Sequence, residues 1–595
     1  MMSRPPRSPV TNSEKSSDDT LTPRSVPSVY NQRIGFLYLA LVSGFLILAG
    51  RVFYLQVPQH QEFKKQAITQ QKKVISIAGK RGIITDRAGH KLAIDVPAFA
   101  IYVDPEYLKE KPAEIVPKLA PLLNEPQDKL LKNLSGNFWH YIKRKVDEKT
   151  AQEIRKLKIP GIGILSENKR IYPHNDMAAS LIGYTDIDNL GQEGIEKSFN
   201  EFLQGGATKA GILTDAYGNE LLRIDGDLPF LTEKAKANKV VLTIDENIQY
   251  LAERELKKGM EATQAERGVA IVMGIPDGDL LALATNPSVN LNEIPGKGWD
   301  PRIKNWAVTD FYEPGSTMKV FTLAAALEAG KTSIDEVIQV PTLIHVDNWP
   351  VHDHHQPPGL VRSLKPFQIL ELSSNVGSSM LGRRMKPEQH RNLLLKFGFG
   401  KKTHSKLNGE VGGLLPELPW AASRQSTVSF GQGVAVTPLQ VVTAASAIAN
   451  KGIRIEPRII HEIVSPENKV IKQFPPNKTR TLSEKTAQEM LNMMMQVVES
   501  PHGTAHNAKI PGYLLGGKTG TADKVVNGRY NGDVMASFIG VLPADNPRYV
   551  IFVLFDAPKA AHYASMTAVP VYKEICKNLI TYYGLQPSHP EELKH

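Results

Sequence analysis

The pattern of apolar and polar positions divides the chain before any chemistry is considered. From Ile34 to Gly50 there is no charged residue; Arg33 and Arg51 close the run, and Val52 to Leu55 extend its apolar character. A run of this length suits a membrane-spanning helix, at the short end of the range. A secretory signal would have a shorter apolar core followed by small residues, whereas Arg51-Val52-Phe53-Tyr54-Leu55-Gln56 follows here. The pattern predicts one span over 34–55. Residues 1–33 ahead of it are rich in Ser, Pro and Thr, which predicts a disordered tail. Lysines and arginines are nearly balanced on the two sides, so the positive-inside rule leaves the orientation open.

Beyond the span, 56–235 mixes strand-like stretches such as Ala98 to Val103 with helix-like ones around 113–134 and 147–157. It reads as an irregular α/β region with no obvious catalytic cluster. The texture changes near 236. Val240 to Ile244 predicts a strand, and Asp245 through about Lys258 a helix. The apolar runs Gly268 to Met273 and Asp279 to Ala284 flank Pro276-Asp277-Gly278, a turn sequence, and so predict a hairpin. Long helical stretches follow, then strands at 513–523, 534–542 and 549–556 and a closing helix at 569–583. Strands, helices and strands again predict an α+β fold over 236–585: an antiparallel sheet with helices packed on it and a helical insert. A short tail, 586–595, remains.

Composition changes this picture little. A chain of 595 residues holds more than one domain, and 41% apolar with 22% charged residues is ordinary for a globular protein. Cys576 is the single cysteine, so no intrachain disulfide is possible. The net charge of +10 suggests an anionic neighbourhood, but the basic residues are dispersed and no zinc-finger or RNA-binding motif accompanies them. No nucleic-acid partner is expected.

Candidate chemistry centres on Ser316-Thr317-Met318-Lys319, which precedes the apolar run Val320 to Ala329. Positions i and i+3 share a helix face, so Lys319 can reach the Ser316 hydroxyl. To act as a base the lysine must be neutral. From a reference pKa of about 10.4 this needs a lowering of roughly 3, worth about 4 kcal/mol. Burial and a second nearby cation can supply that. Ser166-Glu167-Asn168-Lys169 has the same spacing and reads as a polar loop. The second cation is expected from Lys518-Thr519-Gly520-Thr521. On an edge strand Lys518 would face the site, Gly520 would let a substrate backbone lie close, and Thr519 and Thr521 would offer hydroxyls to a carboxylate. Ser373-Ser374-Asn375 lies between. Its serine could relay a proton, and Asn375 could orient both a lysine and a substrate amide.

The ordered triple Ser-x-x-Lys, Ser-x-Asn and Lys-Thr-Gly resembles that of the penicillin-recognising serine acyltransferases. Further boxes are similar to those of class B penicillin-binding proteins: Arg81 to Ala93, Arg170-Ile171-Tyr172-Pro173, Gly191 to Lys197, Phe311 to Gly315, Gly431-Gln432-Gly433 and Thr437-Pro438-Leu439-Gln440. The resemblance covers roughly 50–585 and is nearest to the cell-division type.

It implies a single-pass protein of the bacterial cytoplasmic membrane, with the N-terminus cytoplasmic and the bulk periplasmic at the division septum. A non-catalytic pedestal (56–235) would precede a penicillin-binding transpeptidase domain (236–585). The implied activity is that of a serine-type D-Ala-D-Ala transpeptidase of the carboxypeptidase class, acting on stem peptides ending in D-Ala-D-Ala and acylated by β-lactams. Catalytic residues would be Ser316, Lys319, Ser373, Asn375 and Lys518, with Thr519, Gly520 and Thr521 binding substrate. The backbone N–H groups of Ser316 and Thr521 would form an oxyanion hole. A SEDS-family glycan polymerase and other divisome proteins are the implied partners. No cofactor or metal is expected, despite the dense histidines His352, His354 and His355 and the helical-zinc spacing of His502 and His506. Elongation-type transpeptidase, D,D-carboxypeptidase and β-lactam sensor are the alternatives.

Overall fold

The computed structural model describes residues 28–64, 72–77, 79–206, 208–214, 220–223, 237–294, 300–353, 356–357, 359–526 and 528–593. The expected tail lies outside these up to residue 27, and the first helix, Ser28–Gln56, begins ahead of the apolar run. Its Arg33–Gln56 portion has a mean hydropathy of 2.0 and no buried residue. Among the described residues it is the helix long and apolar enough to cross a membrane.

The fold is α+β, built around a five-stranded antiparallel sheet. Its order is Leu280–Asn286, Arg267–Gly274, Tyr549–Asp556, Arg529–Leu542, Gly516–Val526. The central strand Tyr549–Asp556 is buried along its whole length, as its apolar run Tyr549 to Phe555 requires, and the buried Asp556 at its end is paired with Arg267 and Lys524. Helices Glu246–Thr263 and Ala568–Tyr583 pack together on this sheet. Helices Pro438–Ala449 and Glu484–Glu499 also pack on the sheet and against each other. Pro438–Ala449 is buried throughout, and a capping box starts it: Gln440 N–H donates to Thr437 Oγ1 at 3.1 Å and Thr437 N–H to Gln440 Oε1 at 2.8 Å. This gives Thr437-Pro438-Leu439-Gln440 a structural purpose. The expected hairpin forms, and Gly278 at its turn holds φ +75°.

A second sheet runs through both halves of the chain. Its order is Val470–Gln473, Ile460–Val464, Lys239–Leu242, Ile84–Thr85, Lys91–Val103, His140–Val146, with Ile162–Ile171 also pairing Lys91–Val103. Ile84–Thr85 pairs parallel to Lys239–Leu242, with Ile84 against Val240 and Thr85 against Val241. The other pairings are antiparallel. The helical stretch expected over 113–134 is two helices, Pro112–Leu123 and Gln127–Leu134, separated at Asn124 with φ +48° and Pro126.

One reading changes. Ser166 to Lys169 is not a loop; it lies in strand Ile162–Ile171, with Ser166 opposite Phe99. In a strand, residues three apart point to opposite faces, so Ser166 and Lys169 cannot meet as Ser316 and Lys319 do. The boxes at Arg81, Arg170 and Gly191 are one buried charge network. Arg81 Nε donates to Glu196 Oε2 at 2.5 Å, and Arg170 Nε to Glu196 Oε1 at 2.6 Å. Arg81 N–H and Arg170 Nη1 reach the two oxygens of Asp95 at 2.7 and 3.2 Å. Tyr172 Oη adds a bond to Glu196 at 3.4 Å.

Candidate active site

The turn carrying Ser316 is made possible by two glycines. Gly315 holds φ +51°, and a Cβ on it would lie 2.9 Å from both Ala522 Cβ and the Thr521 carbonyl oxygen. Its N–H donates to the Gly431 carbonyl at 3.1 Å, and a Cβ on Gly431 would overlap Gly315 in return. Residues Gly315–Thr317 form a 3-10 turn, braced by Thr317 Oγ1 donating to the Pro314 carbonyl at 2.7 Å. The turn runs straight into helix Met318–Glu328. Ser316 is thereby half-buried at the cleft while Lys319 is fully buried beneath it.

Lys319 Nζ donates to Ser316 Oγ at 2.9 Å, to the Ser373 carbonyl at 2.6 Å and to Ser373 Oγ at 3.2 Å. Ser373 holds φ +57°, a left-handed conformation unusual for a non-glycine residue and common where a functional site fixes the backbone. Burial lowers the Lys319 pKa from 10.5 to about 7, with Asp353 opposing. Lys518 is also fully buried, and Nζ donates to the carbonyl and Oγ1 of Thr519, both at 3.2 Å. Its pKa is pushed well below the lysine range by burial first and by Lys319 second. Burial is the main cause at both lysines, and the neighbouring Lys319 charge adds to it at Lys518.

Lys518 sits on the sheet's edge strand, as expected, opposite Ile539. The expectation for Gly520 is corrected. A Cβ there would meet Ser537 Oγ at 2.5 Å, Thr317 Cγ2 at 2.8 Å and the Pro314 carbonyl at 3.0 Å. The missing side chain lets the edge strand close onto the Ser316 turn rather than leaving room for a substrate backbone. Thr519 Oγ1 donates to Thr504 Oγ1 at 3.0 Å, and Thr521 Oγ1 accepts from Ala564 N–H at 3.3 Å. Asn375 Nδ2 donates to the His352 carbonyl at 3.2 Å, so orientation of Lys319 falls to Ser373 instead. Ser316, Ser373, Asn375, Thr519 and Thr521 line one cleft of about 510 Å³, a volume suited to a small peptide end or drug-sized ligand.

The residue that sequence reasoning missed is Asp353. It is buried, takes an ion pair from Arg362, accepts from Ser374 Oγ at 2.7 Å, and accepts from Val376 N–H at 3.0 Å. It thereby ties the strand ending at His352 to the start of helix Asn375–Arg383 and fixes the Ser373-Ser374-Asn375 turn. Of the histidine cluster, His352 ends strand Trp349–His352, while His354 and His355 lie outside the described residues. His506 opens a short 3-10 turn, its Nδ1 3.2 Å from the Val498 carbonyl.

Comparison with known proteins places this site in a family. The penicillin binding protein transpeptidase domain matches residues 268–577, and the penicillin-binding protein dimerisation domain matches 76–242. The probable peptidoglycan D,D-transpeptidase PenA of Neisseria gonorrhoeae is 35% identical over 570 residues, covering 95% of each chain. The peptidoglycan D,D-transpeptidase FtsI of Escherichia coli K12 is 33% identical over 564 residues, covering 92% of each. Among solved structures, penicillin binding protein 3 of Mycobacterium tuberculosis in complex with aztreonam matches at a TM-score of 0.67 and 28% identity, over 87% of this chain and 99% of that one. A peptidoglycan synthetase from Bifidobacterium adolescentis matches at 0.67 and 29%, over 87% and 98%. With a buried lysine on a serine at the foot of an edge strand, and both domain families matched in order, the chain belongs to the class B penicillin-binding proteins.

Proposed function

We propose that this chain is a peptidoglycan D,D-transpeptidase that cross-links stem peptides of the septal cell wall through an acyl-enzyme on Ser316. The observation that carries this reading is the fully buried Lys319, with a pKa of about 7 and its Nζ 2.9 Å from Ser316 Oγ. A lysine neutral near pH 7 takes the serine proton as Oγ attacks the carbonyl carbon of the penultimate D-Ala. The carbonyl oxygen becomes an anion, held by the backbone N–H groups of Ser316 and Thr521. The tetrahedral species collapses, the peptide C–N bond breaks, and the leaving D-Ala amine takes a proton through Ser373 Oγ, with Lys518 completing the relay. Thr519 and Thr521 hold the terminal carboxylate, and Asn375 faces the substrate amide. An amine from a neighbouring strand then attacks the ester and restores Ser316. A β-lactam enters by the same first step, but its ring opens without a departing fragment.

The names of the relatives support the reaction, and the likeness to the division-type member supports the septal role. The N-terminal helix anchors the protein in the cytoplasmic membrane, N-terminus inside and bulk in the periplasm. A SEDS-family glycan polymerase and other divisome proteins are its partners there. Depletion in the source cell is expected to give filaments without septa; rounded cells would assign the protein to elongation instead.

The lysine also sets a pH dependence. Only neutral Lys319 accepts the proton, so with a folded pKa of about 7 the active fraction falls about tenfold per pH unit below that value and saturates above it. The second-order rate of labelling by fluorescent penicillin is expected to climb through neutrality and level off. A rate flat across that range excludes Lys319 as the base.

A further inference from the structure

We propose a divalent transition-metal site, best matched to Zn²⁺, formed by Asp86, His90 and Glu246 where the first hairpin meets helix Glu246–Thr263. The three ligand atoms lie within 4.8 Å of one another. His90 Nδ1 is 3.0 Å from Asp86 Oδ2 and 3.3 Å from Glu246 Oε2. Ligands about 2.0–2.1 Å from a tetrahedral zinc stand about 3.3 Å apart, so the two separations from His90 are close to the edges of such a site, and the carboxylate pair lies within 4.8 Å.

A single Nδ1–H points at one acceptor, yet this nitrogen faces carboxylates from two elements 160 residues apart in sequence. A metal ion bonds to all three atoms at once. Two carboxylates also balance the charge of a divalent ion. The mix of imidazole and carboxylate suits zinc better than magnesium or calcium, which take oxygen ligands alone.

The surroundings hold the ligands in place. Asp86 Oδ1 accepts from Ala88 N–H at 2.9 Å and His90 N–H at 2.8 Å, which pins the turn and directs Oδ2 outward. Glu246 N–H reaches Asp86 Oδ2 at 3.2 Å. His174 Nε2 lies 3.3 Å from the other Glu246 oxygen, the outer partner that metal-binding carboxylates commonly have. The Asp86 side chain is 1% exposed and that of His90 54%, so the ion enters from solvent and water completes its coordination. Its effect would be structural. It would clip the hairpin to the helix beside the parallel pairing of Thr85 with Val241.

The test is titration of the full-length protein in detergent with Zn²⁺, followed by calorimetry, and with Co²⁺, followed by its visible absorption. One equivalent should bind, and a hundred-fold excess over Kd should raise the melting temperature on the order of 3 °C. His90→Ala and Glu246→Gln should each weaken binding at least about ten-fold, and His174→Ala should weaken it by about ten-fold. Penicillin labelling of the metal-free variants reports that they are folded. The proposal is overturned if no stoichiometric uptake occurs. It is equally overturned if His90→Ala binds as the parent does, or if uptake is lost in His352→Ala instead.

Discussion

Ser316→Ala is expected to abolish covalent labelling by fluorescent penicillin, with a loss of at least about 10⁴-fold in acylation rate, while the protein stays folded. The size follows from the role. A nucleophile acts as one unit with its base, so removing it forfeits nearly all covalent catalysis and leaves only binding. The fold should tolerate the change because Ser316 is half-buried and supplies no packing volume beyond its Cβ. Lys319 loses one acceptor but keeps both the carbonyl and the hydroxyl of Ser373. The stability cost is then that of one hydrogen bond, about 1 kcal/mol. Gel fluorescence after incubation, together with a thermal melt of the same sample, separates the two effects. A Ser316→Ala protein that still labels at the parent rate would mean that another residue is acylated.

Glu196→Ala is expected to be the most destabilising single change in the pedestal half. The Glu196 side chain is fully buried and accepts from both Arg81 and Arg170, whose side chains are each 2% exposed. Without it, the Arg170 guanidinium keeps only Asp95, whose own pKa is already raised by burial, and the Arg81 guanidinium keeps the Asn189 and Glu196 carbonyls and Asn200 Oδ1 but no carboxylate. Breaking a buried pair from one side costs about 3–5 kcal/mol, because the remaining charge is left uncompensated. The midpoint of urea denaturation measures this. An unchanged midpoint would show that the arginines find other partners. Replacing the whole group by apolar residues of similar volume is a different experiment, and its cost can be far smaller.

Much of the catalytic region was legible because its signals are local. The Pro276-Asp277-Gly278 turn and the alternation of apolar runs each act within a few residues. The Ser316 and Ser166 motifs were indistinguishable as spacings. What separates them is the element that carries them: a helix brings residues three apart together, and a strand sets them on opposite faces. Asp353 was not legible. Its partners lie 9 and 21 residues downstream, and three histidines around it drew attention to metal chemistry instead. The lysine pair was half legible. The need for a depressed pKa follows from chemistry, but whether burial or a neighbouring charge provides it depends on how deep each side chain sits. Gly520 was misread for a related reason: a sequence shows that a side chain is missing, not which neighbour fills the space. The network around Glu196 was visible only as separate boxes, because its members are brought together from 24 to 115 residues away.

The parallel pairing of Ile84–Thr85 with Lys239–Leu242 has a mechanical consequence. The chain enters the first of these strands from the side of the membrane helix and leaves the second toward the Ser316 domain. Tension between the N-terminal helix and the cleft would therefore pull two parallel strands from opposite ends. That geometry loads their hydrogen bonds in shear, all together, rather than peeling them one by one. A force applied between the N-terminal helix and the cleft would be carried across this joint by the sheet itself.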